Sequence, residues 1–485
     1  MTTSSARPAA APAAGPDAPT TEPGSATMWI VLTGLFMAVL DFFIVNVALP
    51  ATQQELHASE AAIQWIVAGY GLTYGAGLIT GGRLGDMFGR RAVFMTGMAL
   101  FTLASVFCGV APNSGVLVVG RLAQGVAAAL TAPQVLAVLR TVYSGKAQAR
   151  AFSMYGFVMG VAAVFGQLIG GGLMRADVFG LGWRACFLIN VPIGLVALLL
   201  APRFVPESKA EVKSRLDPVG MVLVTGALVA LLIPLIQGRE QGWPMWIWGS
   251  LAASAVLFVA FFAYEKRLIG RSGSALIDPS MFRDRAFTAG LLVQLVFWMG
   301  QASYFLILAL FLQYGRGLDP LGAGVVFTAL GLGYMATSAT AHRFAAKLGR
   351  QVLTLGGLLT TVGLVLTGLA VAANGVEGSA WWLVPGLFLD GAGMGLVVAP
   401  LASTVLTRVK PQIAGAASGV LTTALQLGNS LGVAIIGVIF YGAVSAGDGP
   451  AGYGHAYNVS LFYSAAVGVV LAVLVQLLPR GKDGK

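Results

Sequence analysis

Long apolar runs, separated by short stretches of glycine, proline and charge, follow one another along almost the whole chain. A helix that spans a membrane needs about 20 mostly apolar residues. Fourteen such helices are predicted, beginning near Met28, Ile63, Ala92, Val116, Ala151, Arg184, Leu216, Met245, Ala286, Leu321, Gln351, Trp382, Ile413 and Val459. No stretch after residue 27 is long enough for a soluble domain, so the pattern predicts an all-α polytopic membrane protein.

Composition supports this reading and removes one class of partner. The chain is 57% hydrophobic and only 10% charged, with a mean hydropathy of +0.82. Soluble domains carry roughly 25% charged residues. A net charge of +10 in a soluble protein would suggest nucleic acid. Here the basic residues are better explained by membrane topology, and no nucleic-acid partner is expected.

The loops divide the basic residues unequally between the two sides of the membrane. If the N-terminus is cytoplasmic, the cytoplasmic segments hold 24 of the 29 lysines and arginines, the outer segments hold four, and Arg121 lies within a span. Cytoplasmic loops carry the excess of these residues. The count predicts a multi-pass protein of the cell membrane with an even number of helices and both termini in the cytoplasm.

The two ends of the chain are predicted to be short cytoplasmic segments. Residues 1–27 are rich in Ala, Pro and Thr and lack the basic start and apolar centre of a signal peptide. They are predicted to be a disordered cytoplasmic tail. Residues 480–485 are predicted to be the cytoplasmic C-terminus.

An internal echo indicates duplication. The segment HRFAAKLGRQ, at 342–351, follows helix 10 as GRLGDMFGRR, at 82–91, follows helix 2. Gly349–Arg350 matches Gly89–Arg90, whereas Ala346 stands in the place of the acid. Transporters are often built from such repeats, with the substrate site at the repeat interface.

The repeat divides the spanning part of the chain into three segments. Residues 28–202 and 286–479 are predicted to form two six-helix bundles. Residues 203–285 are predicted to be a linker with two extra transmembrane helices.

The charged segment between helices 2 and 3 is a candidate conformational latch. Its glycines permit a tight turn and close helix approach. A carboxylate near a helix N-terminus, with arginine in reach, can form a charge-assisted contact that one conformation makes and another breaks. The residues of this predicted latch are Gly82, Asp86, Gly89, Arg90 and Arg91. The alternative is an ordinary basic cytoplasmic turn.

Two charged residues lie within spans of the first half. Asp41 stands nine residues before Pro50, which places it about 13 Å from the outer end of helix 1. A carboxylate there is costly unless it is paired, protonated or facing water. Arg121 in helix 4 is within reach, and protonation of Asp41 would weaken their ion pair. Otherwise Asp41 could only fix helix packing, and Arg121 could extend outward to water.

Asp390 is a third charged residue within a span. It lies about eight residues into helix 12, in PGLFLDGAGMGL. It could be a second proton site or a contact for a cationic substrate. The alternative is a partly solvated acid that is hydrogen-bonded to nearby backbone.

Aromatic and amide side chains within the spans are candidate lining residues of a substrate cavity. Such groups suit a bulky, flat or cationic ligand, although any single aromatic can serve only in packing. The candidates are Trp65, Tyr70, Tyr74, Gln124, Gln167, Trp298, Gln301, Tyr304, Gln426 and Asn429.

The sequence offers no metal site and no nucleotide loop. Cys108 and Cys186 lie in apolar runs and are expected to be small buried hydrophobes. His57, His342 and His455 are too scattered for a metal site. No P-loop occurs. We therefore expect no cofactor other than a proton as coupling ion, and no enzymatic activity.

Several motifs carry a family resemblance that covers nearly all of residues 28–480. The pattern G-x-L-x-D-x-x-G-R-R at 82–91 resembles the signature loop of major facilitator superfamily transporters. L-D-x-x-x-V-N-x-A-L-P at 40–50 and R-x-x-Q-G at 121–125 resemble motifs of the fourteen-helix drug:proton antiporters. Helix 5 departs from that family, with Gly166–Gln167 in place of Gly-Pro. WRACFLINVPIG, at 183–194, also resembles a family segment and is interpreted as structural.

The resemblance implies a function and a fold. The fold would be the major facilitator fold with 14 transmembrane helices. The protein would be a monomer in membrane lipid that exports hydrophobic or amphiphilic drugs or antibiotics against protons, by alternating access. Asp41 and Arg121 would couple transport to the proton, with Asp390 as a further acid. A proton-coupled importer or facilitator, a membrane-embedded enzyme and a sensor without transport remain as alternatives.

Overall fold

The computed structural model describes residues 25–209, 217–272, 279–406, 414–444 and 449–478. All regular structure in these ranges is helical. The predicted tail at 1–27 lies outside the described residues except for its last three, which begin the first helix. The predicted C-terminal segment at 480–485 also lies outside them.

Sixteen α-helices are assigned, fourteen of them long or, in one case, preceded by a short helical segment. Their bounds are α1 Ser25–Glu55, α2 Glu60–Phe88, α3 Arg90–Gly109, α4 Ser114–Val142, α5 Gly145–Ala176, α6 Ala185–Leu188, α7 Asn190–Phe204, α8 Pro218–Gln237, α9 Met245–Ser272, α10 Arg285–Leu310, α11 Pro320–Ser338, α12 Ala341–Leu348, α13 Gln351–Asn374, α14 Val384–Leu406, α15 Ala414–Ala443 and α16 Gly449–Val475. A π-helical turn, Phe311–Gly315, extends α10.

Most helix starts lie within a few residues of the predicted ones, and the last differs most. α16 begins at Gly449, ten residues before the predicted Val459. Its first residues are glycine, tyrosine and histidine rather than an apolar run, so hydropathy alone does not detect them. Gly452 and Gly454 are buried there, so tertiary packing supports a helix that a search for apolar runs misses.

Twelve helical stretches in the described ranges are long and apolar enough to cross a bilayer. α5, which bends by 43° between Ala163 and Phe165, would be a thirteenth. α2 is not among them, because glycine, tyrosine and glutamine dilute its apolar residues, although most of its length is buried. The protein is thus a multi-span helical membrane protein, and the count of fourteen spans stays a prediction.

The helices pack mainly within two groups. α1 to α7 contact one another chiefly through α2 with α4, α3 with α4, and α1 with α5. α10 to α16 repeat this arrangement through α11 with α14, α13 with α14, and α10 with α15. The groups meet where α5 lies against α11 and α2 against α15, and α8 contacts both α2 and α15. The inserted helices α8 and α9 pack on each other at this boundary.

The duplication is visible in the positions at which helices begin. Ser25 and Arg285, the first residues of α1 and α10, lie 260 residues apart. Glu60 and Pro320, the first residues of α2 and α11, are also 260 residues apart.

The same relation appears in the tightest helix contacts. A Cβ atom on Gly125 of α4 would overlap the carbonyl oxygen of Tyr70 in α2, and one on Gly391 of α14 would overlap that of Leu330 in α11. Tyr70 and Leu330 are again 260 residues apart. Gly125 and Gly391 therefore occupy equivalent places in the two halves.

Hydrogen bonds refine the sequence match between the two basic loops. Arg91 donates to the carbonyl of Pro202 at the end of α7, with a distance of 3.3 Å. Arg350 donates to the carbonyl of Gln476 at the end of α16, with a distance of 2.9 Å. The structural counterpart of Arg350 is therefore Arg91, one residue after the Arg90 that the sequence match paired with it.

The close approach of α14 to α11 should be intolerant of any side chain. Gly391→Ala is expected to reduce the free energy of unfolding by at least about 1–3 kcal/mol, because the added methyl group must displace backbone. Gly442→Ala in α15 is a matched control, since a Cβ there meets nothing within 4 Å. Thermal unfolding in detergent measures both, and equal stability of the two variants would contradict the packing argument.

Candidate functional site

Asp41 and Arg121 form a buried ion pair inside the first half. Asp41 lies in the middle of α1 and Arg121 in α4, and both side chains are fully buried. Arg121 Nη1 contacts Asp41 Oδ2 directly. Two charges removed from water in this way stabilise a fold only when their remaining hydrogen-bonding atoms also have partners.

Amide groups supply partners for the second carboxylate oxygen. Gln124 Nε2 in α4 and Asn190 Nδ2 in α7 donate to Asp41 Oδ1, at 3.0 and 2.8 Å. Both amides also donate to Ser105 Oγ in α3, at 2.9 and 3.3 Å. The carboxylate of Asp41 is thus the point at which α1 is tied to α4 and α7.

Arg121 has further partners that do not involve Asp41. Its Nε donates to the carbonyl of Ile66 in α2 at 2.8 Å, and its Nη1 donates to Gln124 Oε1 at 2.9 Å. Its guanidinium lies 4.4 Å from the centre of the Tyr70 ring, a cation–π distance. Arg121 therefore remains bound to α2 and α4 whatever the charge of Asp41.

The sequence did not identify two members of this cluster. Asn190 was placed in a segment interpreted as structural, and Ser105 was not singled out. The available signal was an amide within an otherwise apolar helix, since a polar group buried there needs a partner. Which partner it meets depends on how α7 packs against α1 and α3, and no local pattern gives that.

α1 also carries contacts to the second half beyond Asp41. Gln313 Nε2, in the π-helical turn after α10, donates to the carbonyl of Val47 at 2.9 Å. Tyr314 Oη donates to the carbonyl of Pro50 and to Gln53 Oε1, both at 3.0 Å. A shift of α1 therefore changes both the ion pair and the boundary between the halves.

Asp390 lies in a different environment, inside the second half. It is fully buried in α14, and Gln301 Nε2 in α10 donates to its Oδ1 at 3.3 Å. No basic side chain in the described ranges pairs with it. It borders a cavity of about 20 Å³, which is room for roughly one water molecule. Tyr304 lines the same cavity.

Gln167 lies at the boundary between the halves. It lines a cavity of about 10 Å³ with Phe305, Phe327, Tyr334 and Met394, among others. Neither its amide oxygen nor its amide nitrogen has a hydrogen-bond partner among the described residues. The amide that replaces the family proline is therefore an unpaired polar group between α5 and the second half.

The other predicted cavity residues are distributed around the helices. Tyr74 packs on Tyr70, with ring centres 5.7 Å apart. Gln426 Oε1 accepts from Asn429 Nδ2 at 3.2 Å, where α15 meets α2. Trp65 and Trp298 pack within helix contacts.

The ten predicted cavity residues thus separate into the Asp41 cluster, the Asp390 cavity and the boundary between the halves. The structure does not gather them around one cavity. Their role in substrate binding stays a prediction.

The predicted latch residues lie together at the junction of α2 and α3. Asp86 Oδ1 accepts from Arg90 Nη2 at 3.0 Å. Gly89 has φ of 111°, a backbone conformation that favours glycine. Gly82 and Gly85 face α4, and a Cβ on Gly85 would overlap the side chain of Gln134.

Glu207, which sequence reasoning missed, holds this junction to the segment after α7. It accepts from the backbone N–H of Arg91 and of Ala92, at 3.1 and 3.2 Å, and so caps α3. Arg90 N–H donates to the carbonyl of Ser208 at 2.9 Å. The loop therefore joins the first half to the start of the linker, and its role as a latch stays a prediction.

Cysteine and metal chemistry add nothing to the site. Cys108 and Cys186 are both buried and free, as expected. Within the described ranges, no group of three or more His, Cys, Asp or Glu side chains could hold a metal ion.

Comparison with known sequences places the chain among transporters. A sequence profile described as Major Facilitator Superfamily matches residues 31–433 and 290–483. A probable actinorhodin transporter of Streptomyces coelicolor is 40% identical over 421 residues, which are 86% of this chain and 72% of that protein.

Two further relatives are named for resistance. The puromycin resistance protein pur8 of Streptomyces alboniger is 34% identical over 461 residues, covering 93% of this chain and 90% of the relative. The tetracenomycin C resistance and export protein of Streptomyces glaucescens is 33% identical over 417 residues, covering 85% and 75%.

Solved structures share the fold at low sequence identity. The peptide transporter POT in complex with sulfate has a TM-score of 0.68 and 16% identity, covering 94% of this chain and 96% of that one. The xylose transporter XylE from E. coli, in a partially occluded inward-open conformation, has a TM-score of 0.61 and 14% identity, covering 92% and 97%. This likeness concerns the fold alone.

The buried ion pair should be intolerant of losing one partner. Arg121→Leu is expected to reduce the free energy of unfolding by about 3–5 kcal/mol, because Asp41 is left as an unpaired buried charge. The double variant Asp41→Asn/Arg121→Leu should lose less, since no net charge then stays buried. Arg184→Leu removes the partly exposed pair with Glu55 and should lose less than about 1 kcal/mol.

Thermal unfolding in detergent distinguishes these outcomes. A double variant that is as unstable as Arg121→Leu alone would contradict the view that the unpaired carboxylate causes the loss.

Proposed function

The chain belongs to the major facilitator superfamily, and on that premise we propose that it exports hydrophobic or amphiphilic antibiotics or drugs across the cytoplasmic membrane in exchange for protons. The named relatives support the direction and the substrate class, since they are described as a transporter, a resistance protein and a resistance and export protein. The fully buried Asp41–Arg121 pair is the observation that carries the proposal of proton coupling.

Proton binding would act first on α1. A proton on Asp41 removes its negative charge and weakens its contact with Arg121. Arg121 keeps the carbonyl of Ile66, the amide oxygen of Gln124 and the ring of Tyr70 as partners. The arginine therefore stays with α2 and α4, and α1 is the element that is released.

Release of α1 would then reach the other half. The outer part of α1 accepts hydrogen bonds at Val47 and Pro50 from Gln313 and Tyr314. Movement of α1 would break these bonds and let the halves separate on that side. Reformation of the ion pair after proton loss would restore them. This sequence links one proton to one change of access, as an antiporter requires.

Substrate contacts would come from the boundary between the halves. Gln167, with no hydrogen-bond partner among the described residues, is placed to bind a polar group of a largely apolar ligand there. The aromatic rings nearby, Phe305 and Tyr334, suit a flat or cationic compound. Asp390 would serve as a second acid within the second half.

We further propose fourteen transmembrane helices, with α2 and both parts of α5 as full spans. Both termini would be cytoplasmic, as the 24-to-4 division of basic residues indicates. The protein would act as a monomer with no cofactor besides the proton. The Gly82–Arg91 loop, held by Glu207, would stabilise one of the two conformations.

Transport in proteoliposomes tests coupling directly. With an imposed pH gradient and tetracenomycin C or puromycin as the probe, the intact protein should move the compound against its concentration gradient. Asp41→Asn should abolish gradient-driven transport, because the group that binds the proton is lost, while leaving passive exchange of the compound. Glu55→Gln, in an exposed ion pair on the same helix, is the matched control and should remain coupled.

The outcome also separates the proposal from its rivals. Accumulation of the compound with the proton flow, instead of against it, would indicate an importer. Gradient-driven transport that survives Asp41→Asn unaltered would refute the coupling role of that carboxylate.

The latch has its own test. Asp86→Asn is expected to speed interconversion of the two conformations by roughly two- to tenfold, because it removes the charge that pairs with Arg90. Single-molecule fluorescence between labels on the two halves measures the rates. Glu377→Gln, on an exposed loop, is the control. Equal rates in both variants and the native protein would exclude a latch at this loop.

A further inference from the structure

The second half contains a modified copy of the buried ion-pair cluster. The equivalent glycines Gly125 and Gly391 fix the register between α4 and α14. Gln124 immediately precedes the first of these and Asp390 the second. Asp390 therefore occupies in the second half the place that Gln124 occupies in the first.

The partner helix shows the opposite exchange. α1 and α10 begin 260 residues apart, and the residue 260 positions after Asp41 is Gln301. In the first half, an amide on α4 donates to an acid on α1 at 3.0 Å. In the second half, an amide on α10 donates to an acid on α14 at 3.3 Å. The same hydrogen-bonded pair is present with its acid and its amide exchanged.

A third pair of contacts locates the counterpart of Asn190. A Cβ on Gly194 of α7 would overlap Thr102, and one on Gly468 of α16 would overlap Thr361. Four residues before these glycines stand Asn190 and Ser464, respectively. Ser464 lines the cavity beside Asp390, just as Asn190 contacts Asp41.

The arginine has no counterpart in the second half. Arg121 stands three residues before Gln124, and Leu387 stands three residues before Asp390. Leu387 is fully buried. Leucine in place of arginine removes the cation, and serine in place of asparagine removes volume. These two replacements account for both the unpaired acid and the cavity next to it.

We propose that Asp390, with Gln301 as its hydrogen-bond donor, is a second proton-binding site, separate from Asp41, and that it carries a proton in the conformation described here. Asp390 Oδ2 and Gln301 Oε1 have no hydrogen-bond partner among the described residues, and both face apolar surroundings. An isolated buried carboxylate is far costlier than a buried neutral acid. The proton satisfies the site where Arg121 satisfies Asp41.

The neighbouring groups do not supply an alternative charge. Tyr304 from α10 and Tyr457 from α16 are the titratable side chains that face Asp390, and their hydroxyl groups lie 3.1 Å apart. No Lys, Arg, His or further acid of the described residues forms an ion pair with it. The cavity leaves room for about one water molecule as a route for the proton.

The two halves would therefore differ in their resting charge. Asp41 is ionised because Arg121 neutralises it, whereas Asp390 is neutral because it is protonated. Resting on the proposed antiport, this difference predicts that a second acid takes part in each cycle. The number of protons exchanged per substrate should then fall by one in Asp390→Asn.

Infrared spectroscopy tests the site without any substrate. At neutral pH, the purified protein in lipid nanodiscs should show the C=O stretching band of a protonated carboxyl group that is absent from Asp390→Asn. The same band should persist in Asp41→Asn. Gln301→Leu should shift it to higher frequency, because the carbonyl loses its hydrogen-bond donor.

The outcomes are decisive for Asp390 alone. A native spectrum without such a band, or a band unchanged by both Asp390→Asn and Gln301→Leu, would overturn the second site. Failure of drug export would leave this measurement unaffected, so a wrong transport function and a wrong proton site are distinguishable.

Discussion

The buried contact between Asp41 and Arg121 is the constraint on which the first half depends. A charge inside the bilayer is stable only with a partner, and every partner of Asp41 comes from another helix. The carboxylate therefore determines how α1, α4 and α7 sit together. Because the outer part of α1 also binds the second half through Val47 and Pro50, a change of one charge can move a whole boundary.

The repeat shows how one scaffold can hold two kinds of acid. Backbone contacts at Gly125 and Gly391 are equivalent and leave no space for side chains, so the helix framework is the same in both halves. The polar residues on that framework differ. An arginine keeps Asp41 ionised, whereas leucine at the corresponding position leaves Asp390 dependent on a proton. Asymmetric chemistry on a symmetric framework is what a coupled transporter needs.

The sequence predicts the helices and the first charged pair well, for physical reasons. Apolar runs define most helices, and a carboxylate and a guanidinium buried at similar depth have few partners other than each other. Asn190, Ser105 and Glu207 were missed because their roles depend on which helices pack together. α2 and the start of α16 show the limit of hydropathy, since packing supports helices whose composition is only moderately apolar.

The most direct test is the response of the outer boundary to pH. Spin labels on the exposed positions Gln54→Cys and Glu377→Cys report the distance between α1 and the second half by pulsed electron–electron resonance. Our account predicts that acidification shifts this distance distribution in the native background and that Asp41→Asn abolishes the shift. The same pH-dependent shift in Asp41→Asn would contradict the claim that this carboxylate controls the movement of α1.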